Sequence, residues 1–127
     1  MKKLLAGIIS LLVCVCLNIQ AIDICNLTVE QQTTPLAIDV SSPRFGWLLT
    51  SEQQNEFQTA YQIIVMNGKT KVWDSGKVKS SDSQLIAYKG KPLINGTRYN
   101  LTVKVWDKDG KMKESKPSYF EIAPVFS

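Results

Sequence analysis

TRYNLTVKVWD, residues 97–107, is the stretch that decides the fold. Its large apolar side chains occupy every second position: Tyr99, Leu101, Val103 and Val105. A period of two over this length predicts a long β-strand that buries one face. Lys104 and Trp106 have the opposite parity, so we expect both to face outward.

Shorter runs of the same kind lie on both sides of this strand, bounded by turn residues. No segment keeps a helical period for three turns, so the sequence predicts an all-β protein. The Asn67-Gly68 pair is typical of a tight hairpin, and Asp109-Gly110 predicts another turn. Further strands are predicted at residues 26–30, 36–40, 44–50, 59–66, 69–74, 83–88 and 118–123.

These strands follow one another at the spacing of an immunoglobulin-like or fibronectin III-like β-sandwich of about seven strands. The domain is expected to extend over residues 22–127. Nine residues are predicted to lie between its two sheets: Phe45, Trp47, Tyr61, Ile63, Val65, Tyr99, Leu101, Val103 and Phe120.

The first 21 residues have the layout of a secretory signal peptide. Lys2 and Lys3 precede an uncharged, mostly apolar run at 4–17, and a more polar segment ends at the small residue Ala21. The run is shorter than the 20 or so apolar residues of a transmembrane helix. We therefore expect residues 1–21 to be removed and the protein to be exported, periplasmic or secreted, without stable membrane insertion after cleavage.

Composition restricts the chemistry open to this chain. It contains no histidine, which removes the commonest general base and metal ligand. The net charge is +4, and loss of Lys2 and Lys3 with the leader would lower it to +2, so no nucleic acid partner is expected. Cys25 would be the single cysteine of the mature chain and could form no intrachain disulfide.

Two pairs of acidic residues are candidate sites. Asp74 and Asp107 each follow a tryptophan in a Val-Trp-Asp triplet, which suggests the two carboxylates of a glycosidase. Aspartates at strand ends are more often turn formers, so no catalytic residue is assigned. Asp107 and Asp109 could bind calcium, but two carboxylates fall short of the six to eight oxygens that calcium takes. The sequence thus predicts neither a metal site nor a cofactor.

Aromatic side chains offer one other kind of site, because a flat ring can stack on a sugar. Trp106 and its outward neighbour Lys104 are candidates for contact with a sugar or with another domain. Trp73 is a third candidate, although the alternation of residues in its strand does not predict which side of the sheet its side chain faces. Trp47 has inward parity and is assigned to the core.

The segment 93–105, LINGTRYNLTVKV, resembles the turn and penultimate strand of fibronectin type III domains. There the tyrosine, here Tyr99, packs at the edge of the sandwich and its hydroxyl bonds nearby backbone in a tyrosine corner. That family has a proline where Asn95 stands in this chain.

A second resemblance covers nearly all of the chain after the leader. In order, LTVE at 27–30, PLAID at 35–39, PRFGW at 43–47, QTAYQI at 58–63, VWDSGKV at 72–78 and VWD at 105–107 look like the N-terminal immunoglobulin-like domain of bacterial α-L-rhamnosidases of glycoside hydrolase family 78. An exported chain would agree with the Bacteroides-type polysaccharide degraders in which such domains occur.

This resemblance implies a non-catalytic accessory domain, because the family's acidic catalytic residues lie in a later helical barrel. The expected function is packing against other domains of a rhamnosidase, and the chain is expected to be a fragment, a truncated reading frame or a free-standing relic. A carbohydrate-binding module for rhamnose-containing plant polysaccharide is the alternative. An enzyme in its own right is disfavoured by the short length and by the missing histidines.

Overall fold

The computed structural model describes residues 22–51 and 55–124, all without helix. The predicted signal peptide, residues 1–21, lies outside the described residues. Nine strands are present in the described part of the chain: β1 (Asp23–Val29), β2 (Arg44–Thr50), β3 (Gln58–Asn67), β4 (Thr70–Asp74), β5 (Val78–Lys79), β6 (Ile86–Ala87), β7 (Arg98–Asp107), β8 (Met112–Glu114) and β9 (Ser118–Glu121). None of the described segments is a helix long and apolar enough to cross a membrane.

Two antiparallel sheets form the sandwich, as predicted. The smaller sheet has the order β1-β2-β6, and the larger has β3 and β7 at its centre. β4 and β5 follow each other along the free edge of β3, and β8 and β9 do the same along β7. Because each of these pairs occupies one edge, the nine strands fill seven strand positions, which agrees with the expected number.

The core lies between the facing sheets and follows the predicted parity. β7 alternates between exposed or half-buried and buried side chains along its whole length. Eight of the nine predicted core residues are buried, and Tyr61, the exception, is half-buried and packed against the core. Burial of these apolar surfaces supplies the main driving force for folding.

Two buried polar contacts fix the large aromatic side chains. The Trp47 indole nitrogen donates to Gln58 Oε1 at 3.0 Å, so its polar atom is satisfied in the interior. The Tyr99 hydroxyl accepts a hydrogen bond from the backbone nitrogen of Ile94 at 2.8 Å. This second contact is the tyrosine corner predicted from the sequence.

Positive backbone φ angles shorten two of the predicted strands. Ala37 has a φ of 61°, and the segment 36–40 pairs through a single parallel bridge between Ile38 and Ile122. Leu85 has a φ of 57°, which limits the predicted strand 83–88 to β6. A residue with left-handed backbone interrupts the regular ladder unless a bulge accommodates it, as at Asn26 in β1, so these two predictions were too long.

The hairpin between β3 and β4 is present, but its turn is displaced by one residue. Asn67 pairs with Thr70, so Gly68 and Lys69 form the turn. Gly68 has a φ of 60°, the conformation that tight hairpins require at their first turn position. Two short strands, β5 and β8, were not predicted from the sequence.

Candidate functional site

The predicted contact residue Trp73 lies inside the sandwich. It pairs across β3–β4 with the fully buried Val65. Its ring stacks on Phe45 with centroids 6.0 Å apart and meets the edge of Tyr88 at 5.2 Å. These contacts occupy the ring with core side chains, so Trp73 acts in packing.

Trp106 and Lys104 lie on the outer face of the larger sheet, as their parity predicted. Both are half-buried. Lys77 Nζ lies 4.6 Å from the centre of the Trp106 ring, which is a cation–π contact. Cross-strand neighbours of Trp106 are the buried Ala60 on β3 and Met112 on β8.

The three predicted contact residues therefore do not form one surface. Trp73 faces the interior, whereas Trp106 and Lys104 face out. Lys104 lies opposite Gln62 on one side and Glu114 on the other. The outer face around Trp106 combines partly covered apolar side chains with balanced charge.

Asp74 is held as a carboxylate by its neighbours. Its Oδ1 accepts hydrogen bonds from Gln62 Nε2 at 2.7 Å and from the Gly76 backbone nitrogen at 2.9 Å, and its Oδ2 lies 3.0 Å from Lys71 Nζ. The Gln62 bond, then the Gly76 bond and Lys71, lower the Asp74 pKa from 3.8 to about 2. A general acid needs a raised pKa, so Asp74 is unsuited to that role.

Asp107 is buried and organises the turn after β7. Its Oδ1 accepts hydrogen bonds from the backbone nitrogens of Asp109 and Lys111, both at 2.9 Å. The turn is completed by Gly110, with a φ of 80°. Asp74 and Asp107 are thus both turn formers, as expected of aspartates at strand ends.

The two aspartates also lie too far apart to act on one glycosidic bond. Asp74 is opposite Ile64 on β3, and Asp107 is opposite Gln58 on the same strand. Six residues of strand separate these positions, roughly 20 Å at 3.3 Å per residue. Glycosidase carboxylates are about 5 to 9.5 Å apart.

A different acidic cluster, which we call the turn cluster, does form at this end of the sheet. It consists of Glu56, Asp107 and Asp109, with one carboxylate oxygen from each residue within 4.8 Å of the others. The sequence analysis did not identify Glu56, because this residue precedes β3 and is brought to Asp107 only by the pairing of β3 with β7. No local sequence pattern indicates this contact. These residues are the group in the described chain best suited to hold a metal ion.

Exposed apolar side chains flank the last described segment of the chain. Leu36, Val40 and Ile94, which we call the exit residues, are 59%, 39% and 62% exposed. Their segments hold the end of the chain: Ile38 exchanges backbone hydrogen bonds with residues 121 and 123, and Gly96 donates to Ile122. The exit residues therefore lie in the two segments that are hydrogen-bonded to residues 121–123.

Comparison with known proteins relates this chain to one part of much larger enzymes. An α-L-rhamnosidase of Streptomyces avermitilis is 41% identical over 107 residues, which are 80% of this chain and 10% of that protein. An α-L-rhamnosidase of Formosa agariphila is 36% identical over 110 residues, 80% of this chain and 12% of that protein. The chain thus spans about a tenth of the length of these relatives.

A solved structure gives the same relation. The crystal structure of the Streptomyces avermitilis α-L-rhamnosidase complexed with L-rhamnose superposes with a TM-score of 0.77 and 39% identity, over 81% of this chain and 11% of that one. Residues 24–125 match the family model described as the Rha78A-like, N-terminal immunoglobulin domain. The chain therefore belongs to the family of Rha78A-like N-terminal immunoglobulin domains.

Proposed function

We propose that this chain is a non-catalytic accessory domain of an α-L-rhamnosidase and that it packs, in cis, against other domains of the same enzyme. The observation that carries the proposal is the extent of the match, which covers the N-terminal immunoglobulin domain and about a tenth of each relative. We also propose that the chain is a fragment or truncated form of such an enzyme, since it spans about a tenth of the length of each relative.

The geometry of the acidic residues supports a non-catalytic role. Asp74 is a stabilised carboxylate on the outside of the sandwich, and Asp107 is committed to a turn roughly 20 Å away. The purified protein should release no rhamnose from an aryl rhamnoside. Sustained turnover that is lost in Asp74→Asn, with the fold intact by circular dichroism, would contradict this part of the proposal.

The exit residues are the surface that we assign to domain packing. In the relatives the matched segment is the N-terminal domain, so the following domain continues after residues 121–123, to which the segments of these residues are hydrogen-bonded. Large apolar side chains that are exposed to this extent, 39% to 62%, are stabilised when a neighbouring domain covers them. A domain contact there needs no conformational change in the sandwich.

A chimera tests the packing surface. Residues 22–127 would replace the matched N-terminal domain of the Streptomyces avermitilis enzyme, and thermal unfolding would be followed with and without Ile94→Ser. We expect Ile94→Ser to lower the unfolding temperature of the chimera but not that of the isolated domain. Leu48→Ser, at a residue 49% exposed on the smaller sheet, is the matched control and should lower neither. Equal effects of both substitutions in the chimera would contradict the assignment.

Binding of a rhamnose-containing plant polysaccharide remains the alternative, and it depends on Trp106. Lys77 lies over one face of this ring and Trp73 packs on core side chains, so a sugar would have to displace Lys77 or stack on the other face of Trp106. Titration with rhamnogalacturonan should leave the tryptophan fluorescence unchanged. A saturable change that Trp106→Ala abolishes would favour the carbohydrate-binding module instead.

We also propose that the protein is exported, with residues 1–21 as its signal peptide. The support is the order of Lys2 and Lys3, the apolar run 4–17 and Ala21. N-terminal sequencing of the exported protein should begin at Ile22. Recovery of a product that retains Met1, or that carries lipid on Cys14 or Cys16, would contradict this assignment.

A further inference from the structure

The turn cluster has the dimensions of a calcium site. Glu56 precedes β3, Asp107 ends β7 and Asp109 lies in the turn that follows. One carboxylate oxygen from each lies within 4.8 Å of the other two. Calcium binds oxygen at about 2.4 Å, so two of its ligands are separated by at most about 4.8 Å.

The Glu56 side chain gives a second, independent indication of a ligand. It is 2% exposed, and among the described residues neither of its carboxylate oxygens has a hydrogen-bond partner. Its nearest cation, Lys108 Nζ, is 3.7 Å from Oε1, beyond hydrogen-bond distance. A buried carboxylate without donors is strongly unfavourable unless a cation compensates it.

The other two carboxylates increase the need for a cation. Asp107 is buried, and its Oδ1 already accepts two backbone hydrogen bonds that fix its orientation. Asp109 is exposed, so the cluster opens to water on that side. Among the residues that the structure describes, Lys108 is the cation that forms a salt bridge with Glu56, so three acidic groups lie beside one neighbouring lysine in a partly buried place.

We propose that Glu56, Asp107 and Asp109 bind a calcium ion. Carboxylates are the ligands that hard cations prefer, and the cluster contains neither histidine nor cysteine, which transition metals would favour. Water entering beside Asp109 would complete the six to eight oxygens. Magnesium suits the cluster less well, because it demands near-ideal octahedral geometry and gives up its waters reluctantly, whereas calcium accepts flexible coordination. Bound calcium would connect the start of β3 to the turn after β7.

Calcium-dependent thermal unfolding of the purified, chelator-treated protein tests this site. At a free calcium concentration 100 times the dissociation constant, the unfolding temperature should rise by about 10 °C or more. Calorimetric titration should give one calcium per chain. Magnesium at the same concentration should give a clearly smaller rise, and an equal rise would overturn the assignment to calcium.

Glu56→Gln separates a binding site from an ordinary acidic cluster. Without calcium, this variant should unfold at a higher temperature than the unaltered protein, because it removes a buried, unpaired charge. In calcium its response should disappear. Glu114→Gln, which removes one exposed acidic charge from β8, is the control and should keep the full response. The proposal is overturned if calcium up to about 10 mM, above the weakest extracellular calcium modules, does not stabilise the protein, or if Glu56→Gln responds as strongly as Glu114→Gln.

Discussion

The triplet Val-Trp-Asp occurs twice in this protein, and its two copies have opposite surroundings. In 72–74, at the end of β4, the tryptophan is packed on core aromatic rings and the aspartate is exposed. In 105–107, at the end of β7, the tryptophan lies on the outer face and the aspartate is buried. The tryptophan and the aspartate thus exchange their inner and outer positions between the two copies, whereas both valines pack against the core.

Strand pairing, rather than local sequence, sets this difference. β7 pairs on both sides and alternates without interruption, so Trp106 faces out. β4 lies at the edge of the sheet, and its residue Val72 is a bulge without a partner on β3. The register on the far side of this bulge places Trp73 opposite the buried Val65, on the core side of the sheet. Both copies end in the same way, with an aspartate that accepts backbone hydrogen bonds in a glycine-containing turn.

The largest effect should come from truncating the inward tryptophan. Trp73→Ala removes contacts with Phe45 and Tyr88 and should lower the free energy of unfolding by about 3 kcal/mol. Trp106→Ala, its counterpart, should cost about 1 kcal/mol, since it loses a cation–π contact and partial burial. Urea unfolding of both variants measures the difference. Equal losses would show that the two tryptophans are not on opposite faces.

A smaller effect should follow from adding a methyl group beside each triplet. A Cβ at Gly90 would collide with the Trp73 Cβ and lie 2.6 Å from the Val72 carbonyl oxygen. We therefore expect Gly90→Ala to cost about 2 kcal/mol through displaced packing.

Gly110→Ala, beside the second triplet, is the comparison for this substitution. An added Cβ there meets no atom within 4 Å, and the cost of about 1 kcal/mol would arise from the φ of 80°. Thermal unfolding of the two variants should rank Gly90→Ala as the more damaging. If Gly110→Ala were the more damaging, the steric constraint would lie beside the second triplet, 105–107, and the prediction would be wrong.

The smallest expected effect is the loss of stability in acid that arises from protonation of Asp74. Because the folded pKa is depressed to about 2 from 3.8, the charged form of Asp74 stabilises the protein above pH 4. This contribution is lost as the pH falls from about 4 to about 2. Allowing for the partial exposure of the side chain, we expect it to be about 1 kcal/mol.

Asp74→Asn tests this contribution. Between pH 4 and pH 2 the variant should lose about 1 kcal/mol less of its free energy of unfolding than the unaltered protein, as measured by urea unfolding at each pH. An identical acid profile would mean that the bonds from Gln62 and Gly76 do not favour the charged carboxylate.

The parts of the fold that could be predicted depend on long, regular patterns. The alternation in β7 correctly indicated its buried face, and the segment around Tyr99 correctly indicated the corner. Strands of two or three residues, β5 and β8, are too short to show a period. The ends of 36–40 and 83–88 depend on left-handed residues, Ala37 and Leu85, which rarely adopt that conformation.

The candidate sites were harder to predict, for a related physical reason. Trp106 and Lys104 could be placed because they lie on a regular strand. The orientation of Trp73 depends on a bulge in its own strand, where Val72 is the extra residue. The turn cluster depends on Glu56, which meets Asp107 through pairing between distant strands. Side-chain orientations and contacts that arise from pairing between distant strands cannot be predicted from a short stretch of sequence.

Pairing between β3 and β7 also constrains the order in which the protein can fold. Its ladder extends from Gln58 opposite Asp107 to Met66 opposite Asn100, so the larger sheet cannot form until residue 107 has been synthesised. The smaller sheet has no surface to cover it before then. Such non-local topologies fold in about milliseconds to seconds, slowly for their size. Until residue 107 has been synthesised, the N-terminal half emerges from the ribosome without the partner strand of β3, which is the state that a chaperone would receive.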